Sequence, residues 1–293
     1  MAKSIPKIAY REAVTLDIEV MSIAQMSQRL VQSKDHDPFA THKIQFYLMI
    51  IVTEGAYTHY LDFNRYTLKP GSILFVAKEQ VQHFTQAIHK TKGFAVILNH
   101  QYLENEYLGS SEIGLNRLYN YHLESPVIHQ DQMAEDSLLP LAQELHNEYY
   151  LKNSFGKSEV LRSLLHALLV KAERVKDQNA QTTVSQQWLN HFSSFTLLLH
   201  NQHTKTRNAQ DYADKLYISY KLLNDVVKAL TLKTAKAFID DFVCMEIKRL
   251  LISTSLSVKE ISFKTGFDEP ANMIKFFKKQ AETTPAQFRK NML

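Results

Sequence analysis

The chain has 293 residues, 45% of them hydrophobic, with only seven Gly and seven Pro, which sets aside collagen-like and low-complexity classes and corresponds to about two globular domains. Its longest apolar run, Phe46 to Val52, is far too short for a membrane span; Met1 to Tyr10 lacks the apolar core of a secretory signal; and the one cysteine, Cys244, has no internal partner, which suits a reducing cytoplasm. The net charge of +4 is unevenly divided: residues 187–293 carry 16 Lys and Arg against 10 Asp and Glu, net +6, and residues 1–186 carry 18 against 20, net −2, so the C-terminal part alone suits a polyanion.

From Lys43 to Leu98 the pattern is that of strands. Phe46 to Val52 is apolar and rich in β-branched residues, and Glu54-Gly55 interrupts it. Ala56 to Phe63 alternates, with Tyr57, His59, Leu61 and Phe63 on one face. Lys69-Pro70-Gly71 is a turn signal, because Pro presets φ and Gly supplies positive φ. Ser72 to Ala77, Val81 to Thr85 and Gly93 to Leu98 follow as short strands. Many short strands with regular turns and no helix between them predict a sandwich or small barrel. His42, Ile44, Phe46, Leu48 and Ile50 share one face, but both faces of this first strand are apolar, so the pattern leaves the inward face open.

Past Asp131 the period changes. Leu138, Leu141, Leu145 and Tyr149, then Val160, Leu161, Leu164, Leu165, Leu168 and Leu169, recur at helical spacing. The second helix has a wide apolar face that either packs on the β-domain or forms a homodimer seam. Glu173 to Gln186 is polar and without apolar periodicity. It divides the chain into a domain at 1–175, a linker at 176–186 and a domain at 187–293. The latter reads as all helix, with segments starting near Gln186, Asn208, Ser219, Thr234, Val258 and Glu269.

Two of its segments look alike. Ala209 to Ser219 followed by Tyr220 to Leu230, and Val258 to Phe267 followed by Asp268 to Lys279, are each a short helix, a tight turn and a second amphipathic helix. A small residue, Ala213 or Ser262, lets each pair cross closely, and Ser219 can cap its second helix. This is the helix-turn-helix arrangement, whose second helix enters the major groove. Ser219, Lys221, Asn224 and Lys228 on the first second-helix, and Asn272, Lys275, Lys278 and Lys279 on the other, are the candidate DNA contacts. Lys suits phosphates and guanine edges, and Asn suits adenine edges. A plain helical bundle accounts for one copy alone. Two copies joined by one long helix, Thr234 to Ser253, point to a paired DNA reader.

The C-terminal region resembles the AraC/XylS family of regulators. The resemblance rests on Ile261-Ser262, Gly266-Phe267-Asp268-Glu269-Pro270-Ala271, Phe276-Phe277-Lys278-Lys279 and Thr284-Pro285-Ala286-Gln287-Phe288-Arg289, preceded by Lys248 to Thr254. Glu282 stands where the family pattern has Gly before Thr-Pro. The N-terminal strands are similar to the family's cupin-like effector domain, through His42, Gly55, Tyr66, Leu68, Pro70 and Gly71. The implied fold is multidomain α+β: a cupin-like β-barrel with trailing helices, then an all-α double helix-turn-helix domain. The implied partners are double-stranded promoter DNA, RNA polymerase, a second copy of the chain and a small-molecule effector in the barrel, with no membrane. His42, Phe46 and Gln82 are the candidate effector contacts. Where a metal-binding cupin has His-x-His, this chain reads His42-Lys43-Ile44, and the later histidine position is Gln82, with His83 turned to the opposite face. No metal, cofactor or catalytic residue is therefore assigned. Two other readings compete: an N-terminal domain that only dimerises or meets a protein partner, and a metal-dependent cupin enzyme.

Overall fold

The structure, a computed structural model, describes residues 7–10, 17–32, 37, 39–103, 118–119, 125–131, 137–152, 155–179 and 184–292. The chain divides into two compact units between residues 180 and 181.

The N-terminal unit is built on two five-stranded sheets. In the first, β1 (Lys7–Ile8), β3 (His42–Ile44), β8 (Val81–Phe84), β5 (Tyr57–Leu61) and β6 (Asn64–Leu68) lie in that order. In the second the order is β10 (Val127–His129), β7 (Ser72–Val76), β4 (Tyr47–Glu54), β9 (Lys92–Leu98) and β2 (Ile18–Ser22). Every pairing is antiparallel except β1 with β3. Among the described residues no hydrogen-bonded ladder joins the sheets, so of the expected forms, sandwich or small barrel, the cupin-like domain takes the two-sheet form without a closed barrel. The corner at Lys69–Gly71 shows how the chain changes sheets. Pro70 has no N–H for a ladder, Ser72 N–H donates to Lys69 O at 2.8 Å, and Gly71 at φ 84 lies so close to Gln130 that a Cβ would stand 2.1 Å from its carbonyl oxygen. The chain thus leaves the edge strand β6 and re-enters as β7 in the other sheet.

The inward face is fixed by packing. Ile44, Tyr57, Leu61 and Phe84 of the first sheet share a core with Leu48, Ile50, Val52, Leu74 and Val76 of the second. The His42–Ile50 face is therefore inward, although its residues belong to two strands: the chain crosses between sheets at Gln45–Phe46, and β3 ends where β4 has yet to begin. The other face of β4, with Tyr47, Met49 and Ile51, meets Leu138, Leu145, Leu161, Leu165, Leu168 and Leu169. These residues belong to or abut α3 (Leu139–Tyr150) and α4 (Lys157–Asn179). A strand covered on both sides reads as a continuous apolar run, and the leucine stripe of α4 is used against the sheet.

Strands β1, β2 and β10 lie outside the sequence expectation, as do α1 (Ile23–Gln32), α2 (His100–Leu103) and a 3-10 turn at Gln86–Lys90 between two strands. The expected linker is also shorter than its composition implies, since α4 continues to Asn179. Glu173 and Lys176 are buried there, and the Glu173 carboxylate accepts the Leu118 N–H at 3.0 Å. Ala172 and Val175 continue the apolar face of the helix into this stretch, and the buried Glu173 and Lys176 lie beside them. Residues 180–183 of that linker lie outside the described residues.

The described part of the C-terminal unit is helical: α5 (Gln186–Gln202), α6 (Ala209–Lys215), α7 (Tyr220–Thr231), α8 (Ala235–Ser253), α9 (Val258–Lys264), α10 (Pro270–Ala281) and α11 (Pro285–Met292). Side-chain caps start most of them. Ser185, Asn208, Ser219, Thr234 and Ser257 each accept a backbone N–H of the first turn, and Ser257 with Glu260 forms a full capping box. The joining helix α8 is buried along Phe238, Ile239, Phe242, Val243, Ile247 and Leu251. Both α7 and α10 pack on it.

Candidate nucleic-acid interface and effector pocket

The two helix-turn-helix units are built from the same hydrogen bonds. After α6, Tyr217 N–H donates to Asp214 O and Ile218 N–H to Ala213 O, both at 3.1 Å. After α9, Gly266 N–H donates to Phe263 O at 3.1 Å and Phe267 N–H to Ser262 O at 3.0 Å. Tyr217 and Gly266 both have positive φ, 55 and 76. Ala213 and Ser262, the small residues at the crossings, are fully buried. The second helices end alike too: Leu232 and Glu282 adopt φ 59 and 56 and donate to Lys228 O and Lys278 O. Glu282 thus occupies the backbone conformation for which the family pattern uses glycine.

On α7, Leu223, Val226 and Val227 are buried, while Lys221 and Lys228 are exposed one stripe away. Ser219 is exposed, and its hydroxyl oxygen accepts the Leu222 N–H at 3.1 Å as the N-cap. Asn224 departs from expectation. It is half-buried, and its Oδ1 accepts the Ala235 N–H at 3.0 Å, capping the start of α8. A bidentate contact to adenine needs that oxygen as an acceptor, so Asn224 is a positioning residue in the structure. On α10, Asn272, Lys275, Lys278 and Lys279 are all exposed, and Met273 and Phe277 are buried. Beside them Ala271 and Ile274 are also exposed. Neither is among the expected contacts, although 271, 274, 275 and 278 follow helical spacing. Such methyl groups suit thymine methyls in the major groove.

The second turn is wedged against the entry to the first unit. A Cβ on Gly266 would stand 2.0 Å from Thr204 O. The Arg207 guanidinium lies 3.6 Å from the centroid of the Phe267 ring and 5.9 Å from that of Phe276. From the C-terminal side, Arg289 donates to Leu251 O at 2.7 Å at the end of α8. These contacts hold the two helix-turn-helix units as one body.

In the N-terminal unit, His42, Phe46 and Gln82 come together on a cavity of about 110 Å³ between the sheets. Ile44, Leu48, Met21 and Phe84 supply much of its apolar lining. His42 and Gln82 are cross-strand partners in a buried relay. Gln82 Nε2 lies 3.3 Å from His42 Nε2, His59 Nε2 lies 3.0 Å from Gln82 Oε1, and His42 Nδ1 lies 3.1 Å from Ala40 O. With Nδ1–H on His42 and Nε2–H on His59, every link has one donor and one acceptor. Burial holds the His59 pKa down at about 3, with His42 and His83 adding to the shift and the Gln82 hydrogen bond opposing it. His83 turns to the outer face and stacks on Tyr60, centroids 4.3 Å apart. Among the described residues no three His, Cys, Asp or Glu side chains converge as a metal site requires. A second polar end was not visible in the sequence. Arg29 and Glu19 pair at 2.7 Å on the cavity wall, and the Tyr10 phenol beside them is pushed above its ordinary pKa by burial and by Glu19.

A family model described as an AraC-like ligand binding domain matches residues 28–169, and one described as a helix-turn-helix domain matches residues 212–291. The chain belongs to the AraC/XylS family. This AraC/XylS regulator is similar in structure to ToxT from Vibrio cholerae, with 15% identity over 94% of this chain and 98% of that one at a TM-score of 0.43. Over 32% of this chain and 93% of the other, it is similar to the C-terminal domain of the response regulator yesN from Fusobacterium nucleatum, at 24% identity and TM-score 0.31. A DNA-binding transcriptional dual regulator from Escherichia coli K-12 matches over 39% of this chain and 96% of its own, at 14% identity and TM-score 0.32. No curated protein matches the regulator. Among the described residues no helix is long and apolar enough to cross a membrane.

Proposed function

We propose that this AraC/XylS regulator binds promoter DNA sequence-specifically through α7 and α10 in the cytoplasm, and that a small molecule in the N-terminal cavity changes its output. The observation that carries the DNA reading is the paired turn geometry, with an exposed basic stripe on each second helix and one rigid body behind both. Lys221 and Lys228 on one helix, and Lys275, Lys278 and Lys279 on the other, approach phosphates or guanine edges; Asn272 reads adenine. Two such helices held in one body address successive major-groove segments, roughly 34 Å apart.

The cavity supports a compact effector. Its volume of about 110 Å³ compares with roughly 150 Å³ for an apolar cavity that takes up benzene. Its charges are already matched between Arg29 and Glu19, so an uncharged, largely apolar ring-sized molecule fits without leaving a buried charge unpaired. Such a ligand acts by binding one arrangement of the two units more tightly than another.

The test selects bound molecules from a random duplex pool with the full chain and sequences them. The expected result is a bipartite motif with half-sites about one helical turn apart. Recovery of unselected sequence would overturn the reading. For the effector, thermal-shift screening with small aromatic compounds should find stabilisers of the native chain, and Leu48→Trp, which fills the cavity, should abolish the shift.

A further inference from the structure

Tyr217 is the turn residue of the first helix-turn-helix, and it sits there against two preferences at once. Its φ of 55 lies in the left-handed region that L-residues avoid. Its side chain is 96% exposed, so no packing inside the chain offsets that backbone. The equivalent turn of the second unit uses Gly266, where Thr204 leaves no room for a Cβ. Glycine would therefore satisfy the first turn as well, and without strain. The tyrosine stands two residues before the N-cap Ser219, between the exposed Lys215 and Lys221. In a helix-turn-helix the first helix crosses the DNA backbone and the second enters the groove by its N-terminal end. A turn residue at that end faces the phosphate wall of the groove.

We infer that Tyr217 is a backbone contact of the first helix-turn-helix, its hydroxyl donating to a phosphate oxygen and its ring lying on the neighbouring deoxyribose. The inference rests on the DNA-binding reading above and extends it to a residue outside the two basic stripes. A strained, exposed side chain is best accounted for by a partner outside the chain. The partner here is DNA, because the position stands at the entry to α7 between the exposed Lys215 and Lys221, and because tyrosine hydroxyls are among the regular donors to phosphate. Only the first unit carries this contact, so the two halves of the site are held unequally.

The test uses the full chain and a fluorescein-labelled duplex of random sequence at low salt, since a backbone contact is independent of sequence. Tyr217→Gly should weaken binding about tenfold, the scale of losing one hydrogen bond to a charged group, while its thermal midpoint stays level or rises. Tyr217→Phe should lose most of that affinity. In both, log Kd against log salt should run parallel to the wild type, because a neutral hydroxyl releases no counterion. Wild-type binding by both variants would overturn the inference and leave the DNA reading intact, whereas failure of the wild-type chain to bind would reject that reading itself. Unchanged DNA affinity with lost transcriptional output would assign the ring to a protein partner instead. A lowered midpoint in Tyr217→Gly would show that the residue serves the fold and would likewise overturn the inference.

Discussion

Gly266→Ala tests the wedge that joins the two helix-turn-helix units. At φ 76 the new residue meets the left-handed penalty of about 1–2 kcal/mol. Its Cβ would also stand 2.0 Å from Thr204 O, 2.6 Å from Thr204 C and 2.8 Å from Thr204 Cα. All three are backbone atoms that no rotamer change can move, so the loop between α5 and α6 must shift, at an overpacking cost of about 1–3 kcal/mol. Subtracting roughly 0.4–1 kcal/mol for the stiffer unfolded chain leaves a net loss of about 1–4.6 kcal/mol. Trp188, the one tryptophan of the chain, lies in α5, so its fluorescence follows the unfolding of the C-terminal unit. With a urea slope near 2 kcal/mol/M the midpoint should fall by about 0.5–2.3 M with the slope unchanged. Tyr217 shows that the same turn accepts an L-residue where nothing presses on it. A midpoint shift below about 0.5 M would mean that the φ term acts alone, and the wedge would not be holding the units together.

Three other outcomes are expected. Asn224→Ala should lower the urea midpoint by an amount equivalent to about 1 kcal/mol, the worth of a cap, and leave the selected DNA motif unchanged; a changed motif at full stability would restore Asn224 as a base reader. Lys228→Ala and Lys278→Ala should each reduce the salt slope of DNA binding by about one, measured by anisotropy from low to moderate salt. Burial holds His59 neutral, its folded pKa pushed down to about 3 from the ordinary 6.5; the stability this gives is present above pH 6.5 and lost as pH falls, by up to about 1.36 kcal/mol per unit. Between pH 6.5 and 5, before most carboxylates titrate, chemical denaturation of wild type and His59→Gln should therefore diverge, the variant showing the shallower decline.

Much of the C-terminal unit was legible because its signals are local. Ser219, Thr234 and Ser257 cap helices within three residues of themselves, and the apolar stripe of α7 has a helical period. The cap that Asn224 makes was not legible because its partner, the Ala235 N–H, is supplied by the next helix. Tyr217 gave no signal because an exposed tyrosine carries no pattern, and its φ is a property of the backbone. In the N-terminal unit, β4 announced itself by apolarity on both faces, but that same apolarity concealed which face was inward until the two cores were seen. The pairing of His42 with Gln82 follows from strand register. The Arg29–Glu19 pair joins α1 to β2; Ile23, Met26 and Leu30 give α1 a helical period, but a pairing between two elements leaves no local pattern.

The fixed wedge at Thr204, Gly266, Arg207 and Phe267 has a consequence for the DNA itself. A reader whose two prongs cannot move independently imposes its own separation and tilt on the duplex. Whatever mismatch exists with straight B-form geometry is absorbed by the nucleic acid, and the energy of that deformation depends on its base steps. On the proposed two-helix reading, base pairs between the half-sites would then contribute to selectivity through their stiffness, flexible pyrimidine–purine steps there favouring binding and rigid A-tracts opposing it.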